Sequence, residues 1–461
     1  MFRRLIGTRA FYRSVLRLLV PIIVQQFITN FVSLLDNVMV GTLGREAISA
    51  ASIANSVLMV FMLAIFGGLS GFSIFGAQFY GKKDMDGMRH TFRVKLYFSL
   101  LACAAGIAVY ACFGESFIRS FLQGESDGGD LALTLRDGTD YLLIMLWGLV
   151  PFAIVQAYAG TLREAGETVV PMLAGIAAIA TNLFLNWVLI FGKLGAPAMG
   201  VQGAAIATVV SRYVELGIVV IYAHTHAGRY PFMRGLYGEF RVPLRLLRRM
   251  LPIAAPLLVN EILWSLGMTF INQLYSSRGL NAVAALNING TAWNLFCVIM
   301  FAMGSAVSIM VGQRLGAGQI DEARDVDRKL IFLTEVIHVI IGGAMILAAP
   351  YIPLLYNVET EVRDLTRQLL IVAGLSLPIH SFAHVTYFTI RSGGRTLITF
   401  LFDAVYTWAV TVLLAFLLCR FTDLKIIEIY FCVQFIDVVK LVVGLLMLRS
   451  GFWARNVVSD V

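Results

Sequence analysis

The chain has 461 residues, of which 59% are apolar and 14% charged, and its formal net charge is +8. A water-soluble protein of this length carries about a quarter charged residues and divides into domains joined by polar linkers. Composition therefore excludes a soluble enzyme or soluble binding module. Apolar runs of 20 or more residues recur from end to end instead, each long enough to cross the roughly 30 Å hydrocarbon core as a helix.

In chain order, the first 14 residues hold Arg3, Arg4, Arg9 and Arg13 and no small-residue cleavage site. They predict a cytoplasmic lead-in helix, not a removed signal peptide. A backbone in lipid must pair its polar groups internally, so the apolar runs predict an all-α fold of twelve transmembrane helices. In the first half these are expected at about 15–40, 52–79, 94–114, 138–161, 169–191 and 201–223. In the second half they are expected at about 250–275, 283–313, 330–350, 367–390, 396–418 and 425–448. The two six-helix lobes cover residues 1–228 and 250–461, with a cytoplasmic linker, 229–249, that carries Arg229, Arg234, Arg241, Arg245, Arg248 and Arg249.

Of the 36 Lys and Arg residues, 25 fall on the side holding both termini (Arg17 and Lys95 counted there, at the ends of their spans), 9 on the other, and two (Arg212 and Lys440) deeper inside spans. That is the positive-inside asymmetry, and it puts both termini in the cytoplasm of a plasma (inner) membrane. The basic balance thus reports topology and contact with the lipid bilayer, not nucleic acid. The five cysteines lie in apolar segments without CxxC spacing and read as small buried hydrophobes. No HExxH, GxSxG or GxxxxGK[ST] motif occurs, so neither an intramembrane enzyme nor direct ATP drive is indicated. No obligate protein partner and no cofactor is indicated either.

A carboxylate inside hydrocarbon costs about 3 kcal/mol or more, so each needs a partner, water or a function. In span 1, Gln26, Thr29, Asn30, Ser33, Asp36 and Asn37 follow at steps of three and four, one polar stripe that lines a cavity or packs on polar helices. In span 7, Glu261, Ser265, Thr269 and Asn272 share a face, and a buried Glu near the midplane suits a proton carrier. His380 and His384, four apart in span 10, are placed to relay protons, bind a metal or hydrogen-bond. Arg212 with Glu215, and Asp437 with Lys440, are three apart and are expected to neutralise each other within one helix. Asp403 has no evident partner. Trp264, Met268, Trp293, Met300 and Tyr387 are candidates either for an adaptable pocket for flat cations or for packing.

The halves repeat in sequence. Ser73-Ile74-Phe75-Gly76-Ala77-Gln78-Phe79-Tyr80-Gly81 matches Ser308-Ile309-Met310-Val311-Gly312-Gln313-Arg314-Leu315-Gly316 at an offset of 235. Thr161-Leu162-Arg163-Glu164-Ala165-Gly166 matches Thr389-Ile390-Arg391-Ser392-Gly393-Gly394 at an offset of 228. Leu19-Val20-Pro21 and Met250-Leu251-Pro252 open the first span of each half. Six spans per half make the repeat parallel, with a pseudo-two-fold along the membrane normal and a solute site expected near the midplane between the lobes.

Leu35-Asp36-Asn37-Val38-Met39-Val40-Gly41, the run Gly160–Thr168 with Pro171, and Asn182-Leu183-Phe184-Leu185-Asn186 with Gly203–Thr208 resemble signatures of the multidrug and toxic-compound extrusion (MATE) transporters. The resemblance covers nearly the whole chain in order. It implies alternating access and export of amphipathic, mostly cationic drugs or metabolites, driven by inward Na+ or H+. It also implies that Asp36 is the coupling acid, with Asn182, Asn186 and Thr208 completing an oxygen-rich site for Na+ unless Asp36 carries a proton alone. Asn186 stands where one version of the pattern has a second acid. Glu261 matches a second-lobe acid of some members, whose span-10 partner acid is replaced here by the His380 and His384 neighbourhood. The substrate-facing set is then Gln26, Asn30, Ser33, Trp264, Met268, Trp293, His380, His384 and Tyr387. An exporter or flippase of lipid-linked or polysaccharide intermediates from the same superfamily is the alternative, and it calls for extra spans or a basic lumen, where this chain's interior charges are mostly acidic.

Overall fold

The structure is a computed structural model that describes residues 5–122, 130–239 and 241–459; the side chains of Val32, Ser33, Leu34, Asn37, Val38 and Arg45 lie outside the described set, as do Arg3 and Arg4. The described residues are helical and contain no strand. Among the described residues, twelve helices are long and apolar enough to cross a membrane.

The first half contains α1 (Arg9–Gly41), α2 (Arg45–Lys82), α3 (Met85–Leu122), α4 (Leu131–Glu164), α5 (Val169–Phe191) and α6 (Gly200–Thr225). The second contains α7 (Leu244–Ser276), α8 (Leu280–Phe296), α9 (Val298–Gly316), α10 (Ile320–Ala348), α11 (Thr360–Ser392), α12 (Thr396–Phe400), α13 (Leu413–Phe421), α14 (Ile426–Phe435) and α15 (Val438–Ser450). Several helices outrun their apolar cores, because hydropathy marks only the part that lipid covers. α3 and α4 both begin about two turns before their expected spans, and Asp130 caps α4 by accepting from the Leu133 N–H at 3.0 Å. Pro21 and Pro252 sit inside α1 and α7 rather than at their starts.

Two of the expected helices are broken. The run expected at about 283–313 divides at Cys297 into α8 and α9, and the run at about 425–448 divides at Ile436 and Asp437 into α14 and α15. A third departure lies between α12 and α13, where Leu401–Val405 and Thr407–Val412 are wound as π-helix.

The chain forms two compact units. The first comprises Val20–Gly76 and Asp84–Met250. In it α5 packs along α6, α6 on α4, and α4 on α3. A Cβ on Gly203 would stand 2.8 Å from the Leu189 carbonyl, so glycine lets α6 approach α5 closely. The basic stretch after α6 folds onto this unit: Tyr230, Phe232, Met233 and Leu236 are buried. Arg93 donates to the carbonyls of Gly235 (2.7 Å), Leu236 (2.9 Å) and Arg241 (3.3 Å). Lys95, buried in α3, forms an ion pair with Glu164 and donates to the Thr161 hydroxyl at 3.3 Å.

The second unit comprises Met1–Leu19, Ala77–Lys83 and Leu251–Val461. Here α11 is the hub, packing on α8, α9, α10, α14 and α15. Gly342 of α10 and Gly374 of α11 face each other, a Cβ on either meeting the other's carbonyl oxygen at 2.4 and 2.8 Å. The two repeated segments also touch within this unit. A Cβ on Gly81 would lie 1.8 Å from the Gln313 carbonyl oxygen, and one on Gly316 would lie 1.9 Å from that of Gln78. The chain after α15 tucks against the same place, where the Gln78 side chain donates to the Ser392 and Arg455 carbonyls (2.9 and 3.2 Å) and accepts from the Val457 N–H (2.7 Å).

Candidate functional site

In the first unit, α1, α5 and α6 converge on Asp36. Because Asn182 and Asn186 are one helical turn apart on α5, both amides reach the same place. Asn186 Nδ2 donates to Asp36 Oδ1 at 2.7 Å and to Asn182 Oδ1 at 3.2 Å. With the Asn182 amide turned so that its O and N exchange places, the bond from Asn186 to Asn182 is given up, and Asn182 donates to both Asp36 oxygens (2.9 and 3.1 Å) and accepts from the Thr208 hydroxyl (3.2 Å) and N–H (3.3 Å). Asn182 and Asn186 are 6% and 1% exposed. Asn186 Oδ1 is buried without a hydrogen-bond partner among the described residues. No Lys or Arg among the described residues is in ion-pair contact with Asp36; Arg212 pairs with Glu215 at 3.2 Å, as its spacing predicts.

The four residues thus supply carboxylate, amide and hydroxyl oxygens, one negative charge, and one buried acceptor left open. This donor set is of the oxygen type that hard cations accept, and an amide-held carboxylate equally suits a proton. Of the rest of the span-1 stripe, Gln26 and Asn30 are exposed on α1, while Ser33 and Asn37 fall outside the described side chains. Gln25, on another face of α1, accepts from Arg163 Nη2 at 2.9 Å and ties α1 to the end of α4.

The second unit holds a larger network centred on Asn260 of α7, which is 1% exposed. Tyr387 OH donates to Glu261 Oε1 at 3.0 Å, while Asn260 Nδ2 donates to Tyr387 OH (3.3 Å) and to Asp403 Oδ2 (3.0 Å). The Ala404 N–H donates to Asn260 Oδ1 at 3.1 Å. That N–H belongs to the π-wound turn Leu401–Val405, and such local departures from α geometry gather at functional sites. Asp403 therefore has partners: besides Asn260, Lys440 Nζ donates to its Oδ1 at 3.2 Å.

This corrects the pairing read from spacing. Lys440 reaches across to Asp403, and Asp437, at the break between α14 and α15, pairs with His380 Nδ1 at 3.3 Å. His380 and His384 also part company. His380 Nε2 hydrogen-bonds Gln434 Oε1 at 2.6 Å and its ring meets Trp293 edge-on at 5.4 Å. His384 packs on Phe301 and Phe388, with its Nε2 lacking a partner among the described residues. Met300 is buried, Trp264 half-buried and Met268 exposed. Glu335, half-buried on α10, accepts from Ser381 at 3.0 Å, and His338 bonds the Thr334 carbonyl at 2.7 Å.

Asn260 is the network residue that sequence reading missed; a buried amide beside a buried acid was its only signal. Lys440 and Asp403 were visible as intramembrane charges, but their partnership spans two helices and leaves no spacing to read.

A family model described as MatE matches residues 21–188 and 256–417. The chain is 26% identical to "Probable multidrug resistance protein YoeA" of Bacillus subtilis (strain 168), over 91% of this chain and 89% of that protein. It is 24% identical to "Multidrug resistance protein MdtK" of Edwardsiella ictaluri, over 79% of this chain and 78% of that one. Among solved structures, an outward-facing multidrug resistance MATE family transporter of the MOP superfamily superposes with a TM-score of 0.85 at 20% identity, over 97% of both chains. The Vibrio cholerae MATE transporter VcmN, in a mutant form, gives 0.86 at 18% identity over 97% of this chain and 98% of that one. With twelve candidate spans, this fold, and a family model matching most of its length, the chain belongs to the MatE family of membrane transporters.

Proposed function

We propose that the protein exports amphipathic, cationic drugs or metabolites across the plasma (inner) membrane, both termini cytoplasmic, in antiport with Na+ or H+ and by alternating access. The observation that carries the coupling half of this reading is the surrounding of Asp36: neutral amides and a hydroxyl, no basic partner among the described residues, and one buried amide oxygen left open. Such a carboxylate stays short of one positive charge, which an inward-moving cation supplies. The substrate half rests on the multidrug resistance names of the relatives and on the aromatic and acidic side chains of the second unit, Trp293, Tyr387 and Glu261, which suit a flat cation.

Coupling follows if the cation binds one conformation better than the other, since only differential affinity shifts a population. Asp36, Asn182, Asn186 and Thr208 would hold the cation, and Glu261 would exchange a proton or contact the substrate. A direct test is displacement of a bound fluorescent cationic dye from the purified protein. Release by Na+ or by acidification, lost in Asp36→Asn, supports competition through this site. Displacement unchanged in the variant removes Asp36 from the mechanism, and absence of dye binding in folded protein moves the substrate class to lipid-linked intermediates.

A further inference from the structure

The two units treat buried negative charge differently. Asp36 is held by amides alone, whereas Asp403 has a lysine built against it. The Lys440 side chain is 8% exposed and that of Asp403 20%. Its ammonium lies 3.2 Å from Asp403 Oδ1 and 4.9 Å from the centroid of the Tyr406 ring, which adds cation–π attraction in a desolvated setting. The Tyr406 ring is itself held, its hydroxyl donating to the Ile436 carbonyl at 2.8 Å. Asp403 Oδ2 in turn accepts from Asn260, the same amide whose Nδ2 also reaches Tyr387, the donor to Glu261. The chain Lys440, Asp403, Asn260, Tyr387, Glu261 is therefore continuous through four helical segments. The other charged or titratable groups facing it are Arg391, near the Glu261 end on α11, and the His380 and Asp437 pair on the Lys440 side.

We propose that Lys440 is a tethered counter-cation: it fills permanently the charge that Asp403 creates, so that Asp403 carries no coupling cation, and the neutralised pair positions Asn260 and Tyr387 on Glu261, the one carboxylate of this network left to exchange. Lys440 and Asp403 are thus positioning residues. The inference rests on the antiport reading above and concerns how the second unit meets it.

The physical consequence is a charge-pairing pattern. Removing either partner alone strands a buried charge, which is far costlier than removing both. Lys440→Met would leave Asp403 to take up a proton or solution cation; Asp403→Asn would leave an ammonium free to capture Glu261. Gradient-driven dye efflux from proteoliposomes is measured for wild type, each single variant, the double variant Asp403→Asn/Lys440→Met, and Lys440→Arg, with folding checked by size-exclusion chromatography. Each single neutralisation is expected to lower the rate about tenfold or more, the double variant and Lys440→Arg to recover most of it, and Glu261→Gln in the double background to abolish it. Wild-type efflux that ignores both gradients overturns the antiport reading itself. Efflux that responds in wild type but is unchanged in Lys440→Met, or a double variant as impaired as the singles while well folded, overturns the counter-cation.

Discussion

Asp36 and Glu261 occupy non-equivalent positions in the two halves. Counted from the matched Pro21 and Pro252, Asp36 is 15 residues on and Glu261 9, so each unit has evolved its own acid. Their surroundings follow suit, with two asparagine amides and a threonine hydroxyl around Asp36 and a tyrosine hydroxyl on Glu261. Asp36→Asn should abolish the response of transport to its driving gradient, and Asn186→Ala should weaken cation dependence by about tenfold, a single lost charge-assisted contact being worth about 1.5 kcal/mol. Cation titration of transport rates checks both. The set Asp36, Asn182, Asn186 and Thr208 was read from the resemblance of its motifs to the MATE transporters; helical periodicity adds only that the span-1 polar residues form a stripe and that Asn182 and Asn186 stand one turn apart. The Asp403 and Lys440 pair was not legible, because 37 residues separate them and the three-residue spacing of Asp437 and Lys440 offered a false local partner.

At the level of elements, hydropathy located the spans, since burial in lipid demands apolar length, but it carries no information on how each helix is wound. Neither Cys297 nor Asp437 is accompanied by Pro or Gly, so both breaks are set by tertiary contacts. The π-wound stretch after Phe400 likewise meets a distant residue, since the Ala404 N–H donates to Asn260 Oδ1. Asn260→Ala should therefore take its amide partner from the Ala404 N–H and from Asp403 Oδ2 together, lowering stability by about 1–3 kcal/mol, readable as a fall in Tm of the detergent-solubilised protein. Gly342→Leu should cost about 2 kcal/mol or more, because its Cβ would stand 2.4 Å from the Gly374 carbonyl and α10 would have to leave α11. The same substitution at Gly343, where nothing stands within 4 Å, should leave Tm nearly unchanged.

For the whole molecule, the internal repeat is written into contacts. Gly81 meets Gln313 and Gly316 meets Gln78, and the two pairs interchange under the 235-residue offset of the repeated segments, as a two-fold relation between those segments produces. The second offset, 228, matches Thr161 with Thr389. Each anchors a buried charge on a preceding helix, Lys95 at 3.3 Å and Asp327 at 2.5 Å. The repeat was visible in sequence because close helix contact restricts these positions to small residues and amides; the sign of each anchored charge differs between halves, so no motif recorded it. The central claim is that cation entry through the Asp36 site drives export of an organic cation. Its most direct test is efflux of a fluorescent cationic dye from proteoliposomes under a sodium gradient or a proton gradient imposed separately, with Asp36→Asn in parallel. The account predicts efflux under one of the two gradients and none in the variant; equal efflux by wild type and Asp36→Asn would contradict it.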